Sequence, residues 1–448
     1  MTAPVMVRLR DLGDWTGGNT PSKANSAYWT NGTVPWVSPK DMKVEEVTSS
    51  EDQITAAALK ERRVSLVPKG SVLIVTRSGI LSHTLPIAVT RLPVTINQDL
   101  KALVPKPSVS PKYVAHALRG ASHRILKTCL KQGTTVASIE TDALLNFEIP
   151  MVGLEEQGRV VAEIEKQFSR LDEATANLQR VKAGVKRYRA SILKAAVEGR
   201  LVPGEAELAC REGRRYESAD EFLAGLRVDR DAHEGKRVPT HEREENRQTA
   251  LPRGWCWALI GQLGAVVRGA SPRPAGDPRF FGGKVPWITV GPITANEDEY
   301  LWTVPDGLTE PGKERSRYIE PGTLLLTNSG ATLGVPKISK IGGCINDGVA
   351  AILGVNDPLK LYLLYFLRTR TIELRRIKQG AAQPNLNTAI IKSIAVPLPP
   401  PAEQRRIVDD LARRLSSLKE MESQVELNIV RTGRTRQAVL GRLINGRR

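Results

Sequence analysis

Two short loops carry the side chains of this 448-residue chain best suited to chemistry. After the apolar run "SVLIVT" come Arg77, Ser78, His83 and Thr84; after "TLLLT" come Asn328, Ser329 and Thr332. No Ser, His and Asp set is suggested by motif, so neither loop reads as catalytic. Their common property is hydrogen bonding from a protruding loop, the property that matches the base edges of a nucleic acid. A second group has the same character: Lys40, Asn97, Gln98, Lys131 and Gln132 in one half, and Arg268, Arg273, Arg279, Lys378 and Gln379 in the other. Lysine and arginine at such positions answer phosphates, and the polar amides answer bases.

Other chemistries fail on spacing. Gly307, Gly312 and Lys313 imitate a nucleotide loop, but Glu314 stands where magnesium needs Ser or Thr, and a carboxylate there would repel phosphate. His241 to Glu245 reads HEREE and lacks the second histidine of a zinc protease. His83, His116, His123, His233 and His241 show no ligand spacing, and Cys129, Cys210, Cys256 and Cys344 form no CxxC pair. No metal site is expected, and the cysteines read as small buried hydrophobes. There is no (N/D)PP(Y/F/W) tetrad for adenine methylation and no glycine fingerprint for S-adenosylmethionine.

The charge balance agrees with a polyanionic partner. A formal net charge of +17 and a pI near 9.8 exceed what solubility needs. The start "MTAPVMVRLRDLGDW" lacks the apolar core of a signal peptide, and "LYLLYFL" at Leu361 to Leu367 is too short to span a bilayer. A cytoplasmic location is the expectation.

The elements that must position these loops occur twice. "VPWV" at Val34 returns as "VPWI" at Val285, "KGSVLIVTRSG" returns as "PGTLLLTNSG", and "INQDL" at Ile96 returns as "INDGV" at Ile345. "LEEQGRVVAEIEKQF" at Leu154 returns as "PAEQRRIVDDLARRL" at Pro401, with Gln157 and Gln404 separated by 247 residues. So long a period means one whole domain copied once. Each copy opens as a compact α+β module of short β-rich runs, closed by a short helix at Lys112 to Lys131 or Leu359 to Lys378. Trp36 and Trp287 each follow Pro inside an apolar run and read as strand anchors in the core. Gly18, Thr20 and Pro21 read as a structural turn.

Each copy then continues into a long amphipathic helix. Val160, Ile164, Phe168, Leu171, Leu178, Val181, Val185, Tyr188 and Ile192 recur at steps of three, four or seven. The second helix repeats the stripe at Ile407, Leu411, Leu415, Leu418, Val425 and Val439. From Glu155 to Ala196 the helix would run about 63 Å, at roughly 1.5 Å per residue. Such a stripe is longer than one small module covers. The seam expected from Val160, Ile164, Phe168, Leu171, Leu178 and Ile192 against Ile407, Leu411, Leu415, Leu418, Val425 and Val439 is therefore an antiparallel coiled coil with pseudo-twofold symmetry, the alternative being that each helix folds back on its own module.

The fold class expected is α+β: two duplicated α/β domains joined by two long antiparallel helices. The boundaries are 1–153 for the first module, 154–200 for its helix, 201–250 for a charged linker, 251–400 for the second module and 401–448 for its helix. Within the linker Ser218 can cap a short helix through Phe222, Leu223 and Leu226, and the rest reads as a tether.

These residues carry a family resemblance over essentially the whole chain. The order of module, helix opening "EEQGRVVAEIE" or "AEQRRIVDDL", and helix close "ILKAAVEGRLVP" or "VLGRLINGRR" resembles the specificity subunit of type I restriction-modification systems. "LPRGWCWALIGQLG" opening the second module and the "ADEFLAGLR" helix before it are similar to that family too. The resemblance implies two target recognition domains, each reading half of a bipartite asymmetric site on double-stranded DNA, and conserved helices that dock two methyltransferase subunits. It implies a role in DNA methylation and host defence. It also implies no chemistry and no cofactor in this chain, with S-adenosylmethionine on the methyltransferase and ATP and magnesium on a restriction subunit. Two other classes fit the residues alone: a stand-alone two-headed DNA-binding regulator, and a scaffold binding RNA or acidic protein.

Overall fold

The computed structural model describes residues 4–61, 64–131, 136–234, 250–377 and 386–445. It forms two compact units, Met1–Val181 with Gln424–Arg448, and Lys182–Ser423. Four helices organise them: α1 (Pro111–Cys129), α2 (Leu154–Val197), α3 (Leu359–Arg376) and α4 (Pro401–Asn445).

The first unit is built on a five-stranded sheet ordered Gly13–Gly17, Leu100–Pro105, Val72–Val75, Ile87–Thr90, Glu46–Val47. All neighbours are antiparallel except the last pair, which is parallel. The second unit repeats the order and the senses with Ala265–Arg268, Val349–Leu353, Leu324–Thr327, Pro336–Ser339 and Tyr300–Leu301. The central strands Val72–Val75 and Leu324–Thr327 are buried throughout, so they read as unbroken apolar runs rather than alternating ones. A smaller sheet beside each carries the "VPW" strand. Trp36 and Trp287 are buried there, edge-on to Trp29 and Phe281 at 5.2 and 6.2 Å between centroids. This is the packing expected of strand anchors.

The copied glycine near the start of each module has a steric reason. A Cβ on Gly18 would lie 1.9 Å from the Asn97 carbonyl oxygen, and one on Gly269 2.1 Å from that of Asn346. Close backbone approach, not a left-handed conformation, therefore excludes a side chain.

The copied helix openings are explained by one residue. Gln157 is buried, accepts the Ser110 N–H at 2.7 Å, and donates to the carbonyls of Val152 and Ser108 at 2.8 and 3.2 Å. Gln404 is buried likewise and donates to the Pro399 carbonyl at 2.8 Å. Above each, a module tyrosine holds the strand that feeds the helix: Tyr113 donates to Pro150 at 3.0 Å, and Tyr362 to Pro397 at 2.5 Å. Burial pushes the Tyr113 hydroxyl up to about 12.

The stripes divide between the units. In the first, Val161, Ile164 and Phe168 of α2 join Leu440 and Ile444 of α4 in the module's own core, with Val160, Leu171 and Val439 packed alongside. In the second, Val185, Ile192, Leu193 and Ala196 of α2 join Ile407, Val408, Leu411, Leu415 and Leu418 of α4. The start of α2 thus meets the end of α4 in one unit, and the end of α2 meets the start of α4 in the other, the antiparallel sense. The residues of the expected seam therefore also pack against the modules. Val425 is buried and Leu178 is half-buried, whereas Val181 and Tyr188, which continue the spacing, are exposed.

The stretch between the copies is not a plain tether. Helices run over Glu205–Glu212 and Ala219–Glu234, with Ala206, Ala209, Ala219 and Leu223 buried. Ser218 does cap the second of these: its hydroxyl accepts the Glu221 N–H and the Glu221 carboxylate accepts its own N–H, a reciprocal box. Glu205 is buried between Arg214 and Arg406, which hold its carboxyl below the usual range against the desolvation that opposes them. Its backbone N–H donates to Glu403. No disulfide is present; Cys129, Cys256 and Cys344 are buried as expected, while Cys210 is exposed.

Candidate nucleic-acid interface

In the first unit three segments converge at the end of the strand Val72–Val75. The backbone N–H groups of Thr76 and Arg77 both donate to the Asp99 carbonyl, at 2.8 and 3.2 Å. Ser78 N–H donates to Ala137, Ile139 N–H to Thr76, and Lys131 N–H to Ser138. This backbone lattice gathers Arg77, Ser78, Asn97, Gln98 and Lys131 onto adjoining turns. Arg77, Gln98 and Lys131 are exposed there. Arg77 and Lys131 have no acidic partner among the described residues. His83 and Thr84 are exposed at the end of the short helical turn that follows Ser78.

Other members are committed internally. Asn97 is buried; its amide donates to Asp99 Oδ2 and accepts the Asp99 N–H, both at 3.1 Å, which makes it the organiser of the turn. Ser78 caps the turn through Ile80 N–H at 3.4 Å. Gln98 accepts the Thr20 hydroxyl. Lys40 pairs with Asp52 at 3.0 Å and Glu51 at 3.2 Å, and the Asp52 hydrogen bond chiefly raises its pKa.

In the second unit the corresponding lattice runs from Asn328 N–H to the Gly348 carbonyl at 2.9 Å. The Thr327 hydroxyl donates to the Thr332 carbonyl at 2.7 Å and accepts the Val335 N–H at 2.9 Å, closing the loop that carries Ser329. Arg268 donates to the Asp347 carbonyl at 2.7 Å, and Arg273 lies 3.9 Å from its carboxylate. Arg279 is exposed but held by Asp277 at 2.6 Å, which raises its pKa. Gln132, Lys378 and Gln379 lie outside the described residues.

One pair of amides stands out. Asn328 is fully buried with neither Nδ2 nor Oδ1 hydrogen-bonded among the described residues, where half-buried Asn346 likewise has an unpartnered Oδ1. Both border Gly348, where an added Cβ would sit 3.0 Å from Ser329 Oγ and 3.4 Å from Asn346 Nδ2. Asn346 was missed in the sequence, although its match to Asn97 in the "INQDL" and "INDGV" echo was the available signal. Among the described residues no acidic, histidine or cysteine cluster could hold a metal ion, and no helix is long and apolar enough to cross a membrane.

The family described as "Type I restriction modification DNA specificity domain" matches residues 4–187 and again 252–428. The chain belongs to that family. It is 41% identical over 172 residues to the type I restriction enzyme EcoR124I/EcoR124II specificity subunit of Escherichia coli, a stretch covering 38% of this chain and 43% of that subunit. It is 30% identical over 156 residues to the MjaIX specificity subunit of Methanocaldococcus jannaschii, covering 34% of this chain and 35% of that one. These matches thus span less than half the length of either relative. In fold, it resembles a chain from the structure described as "Structural basis underlying complex assembly and conformational transition of the type I R-M system", with TM-score 0.67 and 20% identity over 99% of this chain and 98% of that chain. It also resembles the HsdS subunit from Thermoanaerobacter tengcongensis, with TM-score 0.56 and 18% identity over 99% and 97%.

Proposed function

We propose that this chain is the DNA sequence-specificity subunit of a type I restriction-modification complex. Each module reads one half of a bipartite target, the long helices dock methyltransferase subunits, and the chain itself does no chemistry. One observation carries this reading. The same strand, ended by the same threonine, leads to exposed Arg77 in one module and to buried Asn328 followed by half-exposed Ser329 in the other, the backbone N–H of Arg77 and of Asn328 each resting on the turn opposite. An arginine fork fits guanine, whereas the hydroxyls of Ser329 and Thr332 make different contacts, so one scaffold offers two base chemistries, as two different half-targets require. The net charge of +17 supplies the sequence-independent attraction to phosphates.

The test is reconstitution with a methyltransferase partner, followed by single-molecule sequencing of methylated adenines. A single bipartite motif is expected. Exchanging residues 1–153 for the equivalent module of a relative should then alter one half of that motif and leave the other unchanged. Simultaneous change of both halves would refute independent reading, and methyl transfer by the chain alone would refute the non-catalytic assignment.

A further inference from the structure

In the first unit, the turn entering the edge strand Glu46–Val47 is gripped from two helices. Arg119 of α1 pairs with the Glu45 carboxylate at 3.3 Å and donates to the carbonyls of Glu45 and Ile87 at 3.1 and 2.9 Å. Arg436 of α4 reaches the same carboxylate at 3.2 Å, while its other terminal nitrogen holds Asp172 of α2 at 2.7 Å. Its guanidinium lies 4.1 Å from the Phe168 ring centroid.

The second unit grips the turn entering Tyr300–Leu301 in the same manner. Arg368 of α3 pairs with Glu299 at 3.1 Å and donates to the carbonyls of Glu297 and Asp298 at 2.9 and 2.8 Å. Arg189 of α2 holds Glu297 at 2.8 Å and Glu422 of α4 at 2.7 Å, and Lys419 adds Asp298 at 2.6 Å.

The two latches are copies. Arg119 and Arg368 are 249 residues apart, the separation of Tyr113 and Tyr362; Arg189 and Arg436 are 247 apart, the separation of Gln157 and Gln404. The exchange is reciprocal: in each unit the helix arginine comes from the other copy of the repeat. Partly exposed ion pairs contribute little to stability. What the forks supply is geometry, since each planar guanidinium is engaged by two groups at once. The gripped strand belongs to the same sheet as the strand that ends at Arg77 or Asn328, so it carries orientation to those loops.

We propose that Arg436 and Arg189 are positioning residues for sequence reading, each orienting one recognition module on its helices. This rests on the DNA-reading function proposed above. Bidentate base contacts need alignment, whereas phosphate contacts tolerate rocking, so a loosened module keeps its affinity and loses discrimination.

The experiment uses the full chain assembled with its methyltransferase, carrying Arg436→Met or Arg189→Met, because methionine keeps an unbranched apolar stem. Methylation is measured on the wild-type target and on every single-base variant of it, beside thermal denaturation. Discrimination should fall about two- to fivefold, the scale of one ion pair at a partly exposed site, within one half-target only and in opposite halves for the two variants. Unchanged discrimination in both, or an equal fall across both halves in each, overturns the proposal, the second result marking a merely structural role. A wild-type complex without a bipartite target would instead defeat the underlying DNA-reading function, so the two failures are separable.

Discussion

Trp255 donates its indole N–H to the buried carboxylate of Glu403 at 3.0 Å, and the other oxygen of that carboxylate accepts the Glu205 N–H at 2.8 Å. Both donors need an acceptor, and burial pushes the Glu403 carboxyl up from its usual range. This arrangement ties the inter-copy stretch, the start of the second module and the start of α4 into one core. Glu403→Gln has a single acceptor oxygen for two N–H donors and sets an amide N–H against one of them. It should lower the stability of the second unit by about 1–3 kcal/mol. Denaturant unfolding followed by tryptophan fluorescence checks this, and unchanged stability would remove Glu403 from the account.

His116 predicts an acid limb in the first unit. It is buried against the edge of the Phe168 ring at 5.7 Å, and desolvation, helped by Arg119, Lys112 and Arg436, lowers its pKa to about 4. The folded value lies below the unfolded one of 6.5, so the unfolded chain binds the proton more readily. The stability contributed is complete above pH 6.5 and is lost as pH falls toward 4, by about 3 kcal/mol at 1.36 kcal/mol per unit. His116→Tyr, which copies Tyr365 at the matching place in the second unit, should flatten that limb. An unaltered pH profile in this variant would assign the acid sensitivity elsewhere.

Arg77 and Lys40 should behave differently despite equal charge. Arg77 is exposed without an acidic partner among the described residues, whereas Lys40 is neutralised by Glu51 and Asp52. Arg77→Ala is expected to relax specificity at one position of one half-target, worth about 1–3 kcal/mol of discrimination. Lys40→Ala should leave both affinity and specificity within about twofold, as for a paired surface charge. Competition binding with single-base variants measures both; equal effects would show that pairing does not sort these cations.

Asn328 offers a test by sign. A buried amide with no partner is costly, and an apolar group of the same shape removes that cost. Asn328→Leu should therefore leave the second unit as stable or more stable, while discrimination falls in its half-target. Lower stability together with intact discrimination would make Asn328 a structural residue.

The repeat, the modules and the two long helices were legible in the sequence because burial leaves periodic marks: unbroken apolar runs in Val72–Val75 and Leu324–Thr327, and a stripe through Ile164, Phe168, Ile407 and Leu411. The basic charge and the divergence of Arg77 from Asn328 on matching strands pointed to nucleic acid for the same reason, since residue type alone sets which groups can answer a phosphate or a base. Tertiary structure decided which cations are available, because pairing depends on neighbours distant in the chain, such as Asp347 beside Arg268 and Arg273. It also converted Asn97 from a candidate reader into the organiser of its own turn, turned part of the expected tether into helix anchored at buried Glu205, and assembled Arg119 with Arg436 on Glu45. Arg119 and Arg436 stand more than 300 residues apart, and only the antiparallel meeting of α2 and α4 brings the second helix's end to the first module. Hydrogen bonds and ion pairs are directional and short-ranged, so unlike apolar burial they leave no periodic trace in sequence.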